Sequence, residues 1–246
     1  MKMNKILYLF SLLAISTGEA ELPEAVIQKA IEAHGGQGNL IKTLTGCLTA
    51  KAKLTTQKLE MSVSWEETFQ LPTRYYRRVR GKQKGKETSL EYAVTDGAGW
   101  IRQNDDQPKE LKNGQKLPLY RTWNAFLANL PNCLAQDVKL SAGEKEKVNG
   151  REVIGVLASG DAVGGNVVLF FDTSTGLLVK SKGTTSNPLL GNDVEVEVVY
   201  SEFKKVSGIE FPHKIISYVK GQKALDIEIT HIEFTKDVPD KVFQRP

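Results

Sequence analysis

Leu59, Met61, Val63 and Trp65 alternate with Glu60, Ser62, Ser64 and Glu66, and this period of two recurs along most of the chain. Successive side chains of an extended strand point to opposite faces, so each such segment has one apolar and one wet face. Leu90, Tyr92 and Val94 repeat the pattern ahead of Asp96-Gly97, a hairpin-type turn, and Trp100 and Ile101 follow on a short strand. Val194, Val196, Val198 and Tyr200 alternate with Glu195 and Glu197. Strands are also expected from Leu44 onward and over 74–82, 152–158, 167–171, 177–182, 211–219 and 225–234. In the last of these the apolar positions switch from odd (Leu225, Ile227, Ile229) to even (Ile232, Phe234), which predicts a β-bulge near Thr230-His231.

Two segments follow a helical period instead. Pro23 sits at a first helical turn, Ala25, Val26, Ala30, Ile31 and Ala33 recur at helical spacing, and His34-Gly35-Gly36 stops the helix. Leu119, Trp123, Phe126, Leu127, Leu130 and Leu134 mark a central amphipathic helix that starts after Pro118 and is disturbed near Pro131. The fold class is therefore mainly β, with about ten or eleven antiparallel strands, an N-terminal helix and a central helix. No Pro/Ser-rich linker divides residues 21–246, so they are expected to form a single domain. An antiparallel sheet this large must curl, and its concave face needs cover; the aromatic helix is the natural candidate.

The first twenty residues have the order of a cleavable secretory signal. Lys2 and Lys5 precede an apolar run over 6–15, and Gly18 and Ala20 put small residues at the −3 and −1 positions of a cut. A membrane span needs about 20 apolar residues, roughly twice that run. The expected location is the periplasm. A net charge of +4 is too mild to imply nucleic-acid binding. Cys47 and Cys133 are too far apart in sequence for a CxxC motif, and both a disulfide and two separate buried thiols remain open.

Motifs that carry chemistry are missing. His34, His213 and His231 are scattered, without HExxH spacing, and there is no Gly-x-Ser-x-Gly elbow, Walker loop or GxGxxG. No catalytic residue, metal or cofactor is expected. His34 reads as a helix C-terminal residue placed against the dipole. Glu66 and Glu67 fall on opposite strand faces. Arg78, Arg80, Lys82, Lys84 and Lys86 recur at every second position, while Gly81 and Gly85 suggest a turn among them. That arrangement gives a cationic hairpin tip, either a contact surface for anionic lipid headgroups or an acidic partner, or a solvated edge.

Three stretches resemble the LolA/LolB-like lipoprotein-carrier superfamily. They are the helix ending Ala33-His34-Gly35-Gly36, the run from Phe170 through Asp172-Thr173-Ser174-Thr175-Gly176 to Leu178, and the run from Tyr200 through Gly208-Ile209-Glu210-Phe211-Pro212 to Lys214, continued in Ile232-Glu233-Phe234 and Val238-Pro239-Asp240. The resemblance implies an open, strongly curved half-barrel whose hollow is plugged by helices and which, in the carriers, shields the acyl chains of lipoproteins. On that reading Met61, Val63, Trp65, Tyr92, Val196 and Val198 line the hollow with Trp123, Phe126 and Leu127 of the central helix, a movable lid or a permanent plug. The carriers also turn an arginine into the hollow, and Arg74 and Arg77 are the nearest candidates by strand. The implied partners are a lipidated protein or lipid and a donor or acceptor at a membrane surface, served by a monomer. A non-catalytic sensor or scaffold of the cell envelope that binds a protein partner is the alternative.

Overall fold

Alternation of apolar and polar residues gives long antiparallel strands here, and the computed structural model describes them over residues 21–56, 59–95, 98–111, 127, 129–187 and 191–246. The expected signal at 1–20, the Asp96-Gly97 turn and most of the expected central helix, with Trp123 and Phe126, lie outside the described residues.

The described residues hold thirteen strands: β1 (Thr45–Thr56), β2 (Leu59–Gln70), β3 (Arg74–Gln83), β4 (Lys86–Val94), β5 (Gly99–Gln103), β6 (Lys109–Glu110), β7 (Lys139–Val148), β8 (Arg151–Gly160), β9 (Gly165–Asp172), β10 (Leu178–Asn187), β11 (Gly191–Val206), β12 (Ile209–Val219) and β13 (Gln222–Phe234). They form one sheet in the order β6-β5-β4-β3-β2-β1-β13-β12-β11-β10-β9-β8-β7, with every neighbouring pair antiparallel. The chain makes two meanders, joined where β1 pairs with β13, and β6 and β7 are the two unclosed edges.

Two of these strands carry no period-two signal. β6 has two residues, and the sequence of β7, Lys-Leu-Ser-Ala-Gly-Glu-Lys-Glu-Lys-Val, is charged and largely exposed. An edge strand studded with lysine and glutamate discourages pairing with another chain, which is why it lacks an apolar phase to read. The phase slip in β13 is a bulge: Thr49 pairs with His231 and Ala50 with Ile229, leaving Thr230 as the extra residue. The Thr230 hydroxyl donates to the Thr49 carbonyl at 3.0 Å, which satisfies an acceptor at the interrupted ladder.

Helix α1 (Pro23–Ala33) buries Val26, Ile27, Ala30 and Ile31 against the concave face, over β7 and β8. Its C-terminal end is fixed by three contacts. The His34 ring is fully buried, Nδ1 lies 2.7 Å from the Glu210 carbonyl, and Nε2 accepts the Leu178 N–H at 3.0 Å. A nitrogen that accepts an N–H carries no proton, so the ring is neutral and its proton sits on Nδ1. Burial pushes the imidazole down to about 4, against a smaller upward pull from the Glu210 carbonyl. The dipole reading of His34 is thereby corrected: that interaction rewards an imidazolium, whereas this ring is an uncharged tie from α1 to β10 and β12. Gly35 (φ +109°) then passes so close to the β11–β12 turn that a Cβ would sit 2.3 Å from the Gly208 carbonyl oxygen.

The concave, inner face carries the main core, including Leu48, Phe69, Tyr75, Leu169, Phe211 and Ile215, each 1% exposed or less. The outer face has two smaller cores. Val238 and Phe243 of the C-terminal segment pack on Tyr76, Ala93 and Trp100, and the Trp100 Nε1–H donates to the Phe243 carbonyl. Val148, Val153, Phe170 and Val179 form the other. Beside them lies Asp172, whose carboxylate accepts the Ser174 and Thr175 N–H groups, both at 2.9 Å. Burial opposes its charge, but these bonds outweigh it and hold the carboxyl at about 2.

Candidate functional site

The inner face brings together the side chains that the alternation assigned to it. Val63 and Trp65 on β2, Tyr92 on β4, Val198 on β11 and Leu127 are buried in one cluster, with Met61 and Val196 half-buried against it. Trp123 and Phe126 lie outside the described residues. Leu111 and Leu127, described on either side of 112–126, both belong to this inner cluster.

Burial grades along the strands. At the end holding α1's C-terminus and the β2–β3 turn, the inner face is packed shut by Phe69, Tyr75, Ile209 and Phe211. At the other end, where β12 turns into β13, Leu54, Met61, Val196, Val219 and Leu225 are only half-buried. Leu54 pairs in register with both Met61 and Leu225, and Val196 pairs with Val219, with Ser217 of β12 standing opposite Leu225 between the two groups. Apolar side chains left half-wet in the concavity of a sheet are surface that the protein's own packing does not cover.

One ion pair sits among the inner rings. Arg77 and Glu67 face each other in register on β3 and β2. Arg77 Nε donates to Glu67 Oε1 at 2.8 Å, Nη2 lies 2.6 Å from the same oxygen, and the Trp65 indole N–H donates to it at 2.8 Å. Arg77 also donates to the Tyr75 hydroxyl, and its guanidinium lies 4.4 Å from the Trp65 ring centre and 5.7 Å from that of Tyr92. Burial works against the guanidinium charge, yet Tyr75, Tyr92 and Glu67 outweigh it and raise its pKa, while burial lifts the Tyr92 hydroxyl to about 12. Of the two candidates for an arginine facing the hollow, Arg77 takes that position. Arg74 lies on the outer face, bonded to Gln70 and Asp240 and stacked on Phe243. Glu67 itself was legible only as a carboxylate in the apolar phase of Val63, Trp65 and Phe69, opposite a strand with arginine in its own apolar phase.

The basic stretch divides. Arg78, Arg80 and Lys82 lie on the outer face of β3, where Arg78 is paired with Glu91 and Glu66, Arg80 with Glu66, and Lys82 with Glu87. Glu91 also binds Arg102 and accepts the Tyr76 hydroxyl at 2.5 Å. Lys84 sits with Gly85 in the positive-φ turn that ends the strand, and Lys86 follows on β4. The five cations do not form one unpaired stripe: three are tied to carboxylates, and Lys84 and Lys86 stand exposed at the tip.

Cys47 and Cys133 are free thiols. Cys47 points away from the inner face, out of phase with Leu48 and Ala50, whereas Cys133 is buried in the inner cluster, where burial pushes its thiol up to about 12. Among the described residues no group of three His, Cys, Asp or Glu side chains could hold a metal ion, and no helix is long and apolar enough to cross a membrane.

No family model and no curated protein matches the sequence. Solved structures match the fold. A LolA superfamily protein from Nitrosomonas europaea aligns over 92% of this chain and 98% of its own at 14% identity, with a TM-score of 0.55. A putative outer membrane lipoprotein-sorting protein domain from Vibrio parahaemolyticus aligns over 88% and 97% at 10% identity and a TM-score of 0.52. A DUF1329 family protein from Desulfovibrio piger aligns over 90% and 97% at 9% identity and a TM-score of 0.53. The likeness is one of fold: this chain, like these structures, is built on one large curved antiparallel sheet, and its fold is similar to that of the LolA superfamily protein.

Proposed function

We propose that this protein is a non-catalytic periplasmic carrier for lipid-like apolar ligands, the acyl chains of lipoproteins among them, held against the inner face of the half-barrel. The observation that carries the reading is the half-buried band of Leu54, Met61, Val196, Val219 and Leu225 at one end of an inner face that is packed shut at the other. Each methylene of an acyl chain moved from water onto such a band contributes about 0.8 kcal/mol. Val63, Trp65, Tyr92 and Val198 form the wall behind the band, and Arg77 gives that wall one fixed polar group. The fold neighbours include a lipoprotein-sorting domain, which suits the same role. Release of cargo then needs an acceptor at a membrane surface, and the exposed Lys84 and Lys86 at the β3–β4 tip are placed to touch an anionic one.

The test is native mass spectrometry of the protein exported from its full-length sequence and purified without detergent, followed by organic extraction. A reproducible added mass that extracts as lipid supports the carrier. A bare polypeptide mass that incubation with lipopeptide or phospholipid leaves unchanged overturns it, and leaves the fold to be tested as a protein-binding scaffold.

A further inference from the structure

On the outer face, a cleft of about 500 Å³ lies between the C-terminal segment and β4–β6, within the range of about 300–1,000 Å³ that holds small ligands. Its floor is one cross-strand row. Ala93 pairs in register with Trp100, and Trp100 with Glu110, so the three side chains stand on the same face of β4, β5 and β6. Trp100 belongs to the outer core with Tyr76 and Phe243, which sets this face opposite the half-buried apolar band. Asp240, Phe243, Gln244 and Arg245 form the facing wall.

The wall is anchored at three points. The Trp100 Nε1–H donates to the Phe243 carbonyl at 3.0 Å, Arg74 bonds Asp240 and stacks 4.8 Å from the Phe243 ring centre, and the Arg245 guanidinium donates to the Pro108 carbonyl. A cleft held on both sides needs little ordering when a ligand enters, which removes a large cost of binding. Its charges divide unequally. Arg74 and Asp240 neutralise each other. Arg245 bonds a backbone carbonyl and, among the described residues, has no carboxylate within ion-pair distance. Glu110 likewise has no cationic partner among the described residues. The two line one cleft but stand beyond ion-pair distance of each other, so the space between them is bounded by an unpaired guanidinium and an unpaired carboxylate.

We infer that this cleft binds a small zwitterion with an apolar side chain, a free amino acid or a dipeptide, its ammonium on Glu110, its carboxylate on Arg245 and its side chain against Ala93, Trp100 and Phe243. Charge decides among the ligand classes. The four charged residues of the lining sum to zero. An anion with no cationic end would meet Glu110 uncompensated, and a cation with no anionic end would meet Arg245. A neutral apolar molecule would desolvate both groups and give neither a partner. Arg245 keeps further N–H donors beside the one on Pro108, and a planar guanidinium suits a carboxylate better than a point cation does. The inference is independent of the carrier reading, because cleft and band lie on opposite faces of the sheet.

The experiment is isothermal titration of the full chain with leucine, alanyl-leucine, N-acetyl-leucine, leucinamide and glycine, repeated with Glu110→Gln and Arg245→Gln. Both side chains are exposed, so both variants should fold. The expected result is saturable binding of leucine or alanyl-leucine. Binding should be roughly tenfold weaker for N-acetyl-leucine and leucinamide, which each lack one charge, and for glycine, which lacks the apolar side chain. Glu110→Gln should weaken leucine but not N-acetyl-leucine, and Arg245→Gln should weaken leucine but not leucinamide. That match of missing ligand group to missing side chain is what a built site gives and a nonspecific surface does not. The tighter of leucine and alanyl-leucine tells the free amino acid from the dipeptide. No saturable binding of either overturns the site. Equal affinity for all the compounds, or affinities unchanged in both variants, overturns the zwitterion assignment. Lipid binding is read separately, so the carrier reading stands or falls apart from these outcomes.

Discussion

Acidification to pH 5 should destabilise this protein chiefly through one side chain, His34. Folded, the imidazole is held at about 4 by burial, against 6.5 when solvated. The unfolded chain therefore binds the proton more readily, and stability falls as pH drops. The contribution is fully present above about 6.5, declines through the window down to about 4, and levels off below it. Linkage gives a loss of about 2 kcal/mol at pH 5 relative to pH 7.5, and about 3 kcal/mol once both states are protonated. At pH 5 the low carboxyl of Asp172, at about 2, has barely begun to contribute, and the lowered carboxyls of Glu91 and Asp226 add a loss of the same sign lower in the range, so the histidine's share is read from the variant below. Physically, a second ring proton would confront the Leu178 N–H with an N–H in place of its acceptor. Urea unfolding at pH 7.5 and pH 5 should show the loss in the unaltered protein, and His34→Gln, which keeps an amide donor and acceptor but cannot titrate, should show a much flatter profile. Equal midpoints and slopes at the two pH values in the unaltered protein, or an undiminished pH dependence in His34→Gln, would refute the account of a buried neutral tie.

Other perturbations read other parts of the fold. Glu67→Gln leaves the Arg77 guanidinium buried without its counter-charge and should cost about 3–5 kcal/mol, whereas Arg77→Met/Glu67→Leu should come out far closer to neutral; additive losses in a double-mutant cycle by urea unfolding would show that the pair does not act as a unit. Gly35→Ala drives a Cβ to within 2.3 Å of the Gly208 carbonyl oxygen at a left-handed φ, and should cost about 3 kcal/mol or more, lowering the thermal midpoint by roughly 6–12 °C; an unchanged midpoint would mean the β11–β12 turn is free to move away. For the cysteines, intact mass should be the same with and without reductant, and alkylation of the folded protein should reach Cys47 well before the buried Cys133; a rise of two mass units on reduction would contradict the free thiols.

What the sequence conveyed and what it withheld follow from the same physics. Alternation on β2, β4 and β11 placed Met61, Val63, Trp65, Tyr92, Val196 and Val198 on one face, because a slip of one residue would have moved each set into water. The bulge at Thr230 was legible for the same reason, as a change of phase. β7 was not, since a charged edge strand carries no apolar phase, and β6 is too short to show one. The sense of the buried polar groups was also beyond reach. His34 stands after a helix, where a dipole argument applies, and only the approach of β10 and β12 turns it into an uncharged tie. Likewise the basic run around Arg78 and Arg80 reads as a contact surface until β2 and β4 supply Glu66 and Glu91 as pairing partners.

On the carrier reading proposed above, the inner face meets a conflict that position can resolve. A concavity apolar enough to hold acyl chains leaves too much wet apolar surface when empty, and one packed well enough to be stable when empty has no room for cargo. Here the two demands fall at opposite ends of the same strands. Phe69, Tyr75, Ile209 and Phe211, with the His34–Gly35 tie behind them, give the protein a closely packed core, and a Phe-to-Ala change there should cost about 3–5 kcal/mol with or without lipid. Leu54, Met61 and Leu225 lie far enough along the strands to be half-wet without opening that core. The division makes a pair of opposite expectations: Phe69→Ala should lower the thermal midpoint and leave lipid affinity per folded molecule intact, whereas Met61→Ser should weaken lipid binding severalfold and shift the midpoint little. If Met61→Ser proved as destabilising as Phe69→Ala, the band would be core, and the reading of this half-barrel as a carrier would lose its foundation.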